Sequence, residues 1–174
     1  MPRGAALANP SLPGTSTMPK LFILQSIWGI ERRHSDGREW STEERFEMIA
    51  EASFDGICDH FHARRDVEKW VGLARNHGFV IEGQAFPCGV DDPRPALELA
   101  AEHGIHRLMI QPDVRPHDVG SCLPILTGWQ ELSKEYGVPV LVETHRGMMT
   151  NDLWSTRETI DKLGDLPLLA DLSH

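Results

Sequence analysis

The sequence predicts a parallel α/β domain of repeated strand–helix units, of the (β/α)8 barrel type. Three observations carry this. The first is an internal repeat. Asn76-His77-Gly78-Phe79, Glu102-His103-Gly104-Ile105 and Glu135-Tyr136-Gly137-Val138 are one device, a helix closing on a glycine that can turn left-handed before an apolar strand. Leu163-Gly164 is a looser fourth copy, and the four glycines lie 26, 33 and 27 residues apart, one strand–helix unit each. The second is alternation. Strands and helices alternating at that period require parallel strands and right-handed crossovers, in either a doubly wound sheet or a barrel. The third is the placing of polar residues. Gln25, Asp59, Gln84, Gln111, Glu143 and Asp171 recur at strand C-termini, where a barrel keeps its active site, and no Gly-rich phosphate loop follows the first strand.

Residues 1–20 are rich in Pro, Gly, Ser, Thr and Ala without periodicity, which predicts a disordered tail, with Met18 as a candidate start. The domain is expected over 21–174. Leu21 to Ile27 reads as the first strand, and Trp28 to Trp40 as a polar loop. Ser41-Thr42-Glu43-Glu44 is a capping box, and Phe46, Ile49 and Ala50 give the following helix an apolar face. Phe54 to His60, Val80 to Phe86, His106 to Gln111 and Val138 to Thr144 read as strands two to five. Helices are expected over Asp66 to His77, Pro93 to His103 and Cys122 to Tyr136, and from near Asn151, before a sixth strand ending at Asp171. The tryptophans at 70 and 129 fit helix faces and read as packing.

Six units are two short of a barrel, whose usual length is about 250 residues. The unpaired edges would be sticky in water. The expectation is a partial barrel, a fragment of a longer protein, with closure by homo-oligomerisation as the other route.

The charge balance, 17 basic against 26 acidic residues, gives a net charge of −9 and argues against a nucleic-acid or anionic-membrane surface. The cysteines at 58, 88 and 122 are odd in number with no Cys-x-x-Cys pair, which fits a reducing cytoplasm better than a disulfide framework. No apolar run has membrane-spanning length, and the N-terminus lacks the layout of a secretory signal.

The chemistry concentrates between Val138 and His174. Val138-Pro139-Val140-Leu141-Val142 ends in Glu143-Thr144-His145-Arg146-Gly147, and Leu166-Pro167-Leu168-Leu169-Ala170 ends in Asp171-Leu172-Ser173-His174. Carboxylates leave water reluctantly and are tolerated at buried strand ends when a cation sits among them. Glu143 and Asp171 are therefore expected to share one metal ion; the bland alternative is a pair of strand-end carboxylates capping helices or pairing with arginine. Glu143 and His145 are two apart and share a strand face.

At Glu143-Thr144-His145 and Asp171-Leu172-Ser173-His174 the chain resembles the sugar phosphate isomerase/epimerase family, with its xylose isomerase-like TIM barrel. The resemblance covers roughly the first three quarters of that fold. It implies a divalent metal (Mn, Mg, Co or Zn) held by Glu143 and Asp171, with two further ligands on strands seven and eight that have no counterpart here. It implies that Glu143 also shuttles the proton, that His174 faces the substrate, and that the reaction runs through an enediolate. His145 is expected to orient substrate or support Glu143, and Arg146 is a candidate to hold an anionic group, although a surface or ion-pair role is the stronger reading for it; Gln111 is a candidate substrate contact.

Other readings compete. Asp59-His60-Phe61-His62 has metal-ligand types, but alternation separates Asp59 from the histidines. Glu82 and Gln84 share a face and read as a polar network in the barrel interior. Trp28 is either a wall for a sugar or core. The expected function is a metal-dependent isomerase or epimerase of a sugar-like small molecule. The alternatives are an inactive partial barrel acting as a binding module, and an apurinic-endonuclease-type nuclease, which the acidic balance disfavours.

Overall fold

The computed structural model describes residues 20–31, 35–61 and 63–172. The predicted tail lies outside them except for Lys20, and His62, Ser173 and His174 lie outside them too.

The strands are β1 (Leu24–Ser26), β2 (Gly56–His60), β3 (Val80–Ala85), β4 (Arg107–Ile110), β5 (Val140–Glu143) and β6 (Leu168–Leu169). All pair in parallel, in the order β1-β2-β3-β4-β5-β6. That order decides between the two predicted architectures. A doubly wound sheet reverses its strand order at a switch point, whereas this array runs in one direction, as a barrel wall does. The chain forms a half-barrel of six parallel strands with helices between them.

The helices are α1 (Thr42–Glu51), α2 (Arg64–His77), α3 (Arg94–His103), α4 (Val119–Tyr136) and α5 (Leu153–Leu163). A single 3-10 turn over Trp28–Ile30 opens the loop predicted after the first strand. The capping box at α1 forms as read. The Glu44 amide donates to Ser41 Oγ at 3.2 Å, and the Ser41 amide to Glu44 Oε2 at 2.7 Å. Gly78, Gly104 and Gly137 close α2, α3 and α4 at φ of 69°, 66° and 66°, so the repeat is a left-handed cap in all three copies.

Strand register sorts the side chains. Ile57 pairs with Ile81, Gly83 with Leu108, and Ile110 with Val142, and this outer face packs on the helices. Phe46 and Ile49 of α1, Val67 and Val71 of α2, and Leu97 of α3 complete that core. Trp129 on α4 is 1% exposed and donates from Nε1 to the Gly89 carbonyl at 2.9 Å, so its packing role holds. Gly56 is required by close approach: a Cβ there would fall on the Val80 carbonyl.

The inner face carries Ser26, Cys58, Glu82 and Arg107 in one register row, and His60, Gln84, Met109 and Leu141 in the next. Asp59 pairs with Gly83 and Gln25 with Ile57, both on the outer face. Their expected part in the rim of polar strand ends is thus corrected. The residue after each, Ser26 and His60, faces inward, because a one-residue step flips a side chain to the other face.

Candidate active site

Glu143 closes β5 and pairs with Leu169 of β6. It is 4% exposed, and its Oε2 is buried with no hydrogen-bond partner. β6 is shorter than predicted, so Asp171 stands two residues past its end. Thr144 holds it there: its Oγ1 accepts the Asp171 amide at 3.1 Å, and its own amide donates to the Leu169 carbonyl at 2.9 Å.

The two predicted carboxylates are brought together. Burial pushes the Glu143 carboxyl above the usual carboxylate range. The Gln111 amide partly offsets this, and the facing Asp171 carboxyl pushes it up further, by contact and by charge, against a downward pull from His145. Gln111 and Asp171 thus approach closely enough to act on the carboxyl, yet neither satisfies Oε2.

His145 follows on a loop fixed by Thr150. The Thr150 hydroxyl donates to the Glu143 carbonyl at 2.7 Å and accepts the His145 amide at 3.2 Å. The His145 ring brings Nδ1 to 2.7 Å from the Arg146 carbonyl. Arg146 is exposed and makes no ion pair among the described residues. His174, expected to face the substrate, lies outside the described residues.

The fit to a divalent cation is partial. A buried, unpartnered carboxylate oxygen beside a second carboxylate is the donor chemistry that a hard cation takes. No group of three His, Cys, Asp or Glu side chains suited to a metal occurs among the described residues. Glu143 and Asp171 would offer such an ion two carboxylates, and the described residues add no third ligand of these types.

Across the inner face lies an aromatic cluster that the sequence did not assemble. The His60 ring stacks on Trp28 at 6.3 Å and 18°, and meets Phe86 edge-on at 4.9 Å and 79°. Trp28 is 52% and Phe86 38% exposed, so Trp28 is a rim residue and not core. Deeper in, Arg107 Nε pairs with Glu82 Oε1 at 2.7 Å. The Cys58 thiol is pushed up to about 12 by burial and by the carboxylates of Glu82, Asp59 and Glu143, which makes it a poor nucleophile. A cavity of about 220 Å³ lined by Leu126, Trp129, Gln130, Val142 and Leu166 lies on the helical side and shares none of the site residues.

No protein-family profile and no curated protein sequence matches the chain. Solved structures do match. The probable 3-DHS dehydratase of petrobactin synthesis from Bacillus anthracis aligns with TM-score 0.65 at 12% identity, over 87% of this chain and 62% of its own. A sugar phosphate isomerase/epimerase from Parabacteroides distasonis gives 0.63 at 10%, over 93% and 68%. A xylose isomerase-like TIM barrel protein from Mycobacterium smegmatis, in complex with magnesium, gives 0.61 at 10%, over 87% and 64%. This is the xylose isomerase-like barrel fold. The half-barrel seen here is part of that fold: the chain spans 57% of the D-psicose 3-epimerase that it also matches, and 62% and 64% of the dehydratase and the magnesium complex. A 3-keto-D-glucoside 4-epimerase and a family 2 AP endonuclease have the xylose isomerase-like fold as well, at 13% and 15% identity. Among the described residues no helix is long and apolar enough to cross a membrane.

Proposed function

We propose that the protein acts as a divalent-metal-dependent isomerase or epimerase on a sugar or related hydroxy-carbonyl compound. The observation that carries this is the buried, unpartnered Oε2 of Glu143 beside the Asp171 carboxyl, at the C-terminal rim of two neighbouring parallel strands. Sugar epimerases and a magnesium complex among the fold relatives support the class.

In this reading Glu143 and Asp171 are the metal ligands. The ion bound there supplies an electrophile for the substrate's carbonyl oxygen. Glu143 carries the proton: its carboxylate takes it from the carbon beside the carbonyl and returns it. The backbone on either side of Glu143 is pinned, before it by the Val142 amide to the Pro167 carbonyl and after it by Thr150 on its own carbonyl and by the Thr144 amide to Leu169, a frame that would hold the carboxyl in place before substrate arrives. His145 and His174 orient the substrate, and Gln111 and Arg146 bind its polar groups. Trp28, His60 and Phe86 offer an apolar wall of the kind that the C–H face of a sugar ring stacks on.

The test is proton exchange. The protein is incubated with D-psicose, D-fructose or D-tagatose in D2O with Mn²⁺ or Mg²⁺, and deuterium beside the carbonyl is followed by NMR. Metal-dependent exchange that Glu143→Gln abolishes supports the reading; its absence with every ketohexose overturns it for this substrate class. Binding of abasic duplex DNA instead would favour the nuclease.

A further inference from the structure

Gln84 is 7% exposed, and its side-chain carbonyl Oε1 is buried without a hydrogen-bond partner. A buried amide left in this state costs stability, and native chains keep few of them. Its surroundings indicate what it faces. Gln84 shares a register row with His60 on one side and Met109 on the other, on the inner face of the sheet. Its neighbour Gly83 points the opposite way, where a Cβ would press on Phe61 and Leu108. Glu82, two residues earlier on the same face, is paired with Arg107, so the inner-face polar network satisfies Glu82 and leaves Gln84 out. His60, the register partner of Gln84 on β2, has its ring stacked on Trp28 and edge-on to Phe86.

The geometry points to Gln84 as a specificity-determining contact, whose side-chain carbonyl accepts a hydroxyl of a polyhydroxylated substrate laid against the Trp28–His60–Phe86 wall. This rests on the sugar reading above and adds to it a residue on β3, two strands away from the end of β5 that carries Glu143. A carbonyl acceptor selects an O–H donor, so it distinguishes a sugar from its deoxy analogue. An apolar wall alone does so weakly.

The test compares the wild-type protein with Gln84→Leu, which keeps the bulk and removes the amide. Binding of D-psicose, D-fructose and D-tagatose, and of their monodeoxy derivatives, is measured by ligand-observed NMR with Mg²⁺ present. The wild type is expected to prefer the sugar over one particular deoxy derivative by about tenfold, and Gln84→Leu to bring that ratio close to one. Thermal melting supplies a second readout that a structural role would move the other way. Removing an unsatisfied buried amide is expected to raise Tm by about 2–4 °C, whereas loss of a structural hydrogen bond would lower it. A lowered Tm, or an unchanged ratio in a folded Gln84→Leu protein, overturns the assignment while leaving the isomerase reading intact. Failure of all three ketohexoses to bind the wild type overturns the isomerase reading for these sugars, and the role of Gln84 with it.

Discussion

The hydroxyl of Thr144 accepts the backbone N–H of Asp171 at 3.1 Å. Two acidic residues 28 positions apart in the sequence thus meet where the residue after Glu143 holds the segment just beyond β6 that carries Asp171.

If that tie places the second carboxylate, Thr144→Val should loosen it. The variant should lose about 0.5–1.5 kcal/mol of stability and bind Mn²⁺ more weakly, with Thr144→Ser restoring both. Denaturant unfolding and Mn²⁺ titration measure the two effects. Unaltered Mn²⁺ affinity in Thr144→Val would show that Asp171 is positioned by other contacts.

Metal addition should stabilise the protein through Glu143 and Asp171. At a free Mn²⁺ concentration one hundred times Kd, linkage gives about 2.7 kcal/mol, or roughly a 5–11 °C rise in Tm for a domain of this size. The double variant Glu143→Ala, Asp171→Ala should show no rise in differential scanning fluorimetry, and chelation should return the wild type to its metal-free Tm. An equal rise in the double variant would place the ion elsewhere.

Gly56→Ala should be costly although it adds a single methyl group. That carbon would land on the Val80 carbonyl, backbone that cannot turn aside as a side chain can. Overpacking of this kind costs about 1–3 kcal/mol, and the strand shift needed puts this site at the upper end. Gly72, on the exposed side of α2, meets nothing within 4 Å of an added Cβ and is the matched control. Equal melting of the two alanine variants would contradict the close approach of β2 and β3.

The α1 cap predicts a pH dependence. Hydrogen bonds from Arg38 and from the Ser41 backbone pull the Glu44 carboxyl down to about 2. A carboxyl depressed in the folded state stabilises it above the unfolded pKa of about 4.3, and that contribution is lost as pH falls through the folded value. The stability difference between wild type and Glu44→Gln should therefore be full at pH 6 and shrink from about pH 5 towards pH 2. A difference that stays constant over that range, measured by urea unfolding, would mean that the ionised carboxylate is not what holds the cap.

Much of this architecture is local chemistry and was legible in the residues. The helix ends at Gly78, Gly104 and Gly137 follow from a conformation that glycine adopts freely, and the cap at Ser41 from a side chain reaching three residues along the chain. Glu143 and Asp171 stood out because an apolar run ending in a carboxylate is hard to explain by folding alone. Other features were not legible, because they depend on which residues of separate strands share a row. Gln25 and Asp59 look equivalent to Gln84 in the sequence, yet register turns both to the outer face.

The sequence by itself determined the strand–helix repeat, the parallel sense of the strands and the pair of acidic strand ends. These depend on interactions within a few residues, which composition and spacing record. Only the tertiary structure decided that the strands run in unbroken order as a barrel wall, that Thr144 holds Asp171, that Trp28, His60 and Phe86 meet, and that Gln84 is left without a partner. Each of these joins residues from different strands. A shift of one residue in register would reverse the facing side chains without altering any local preference.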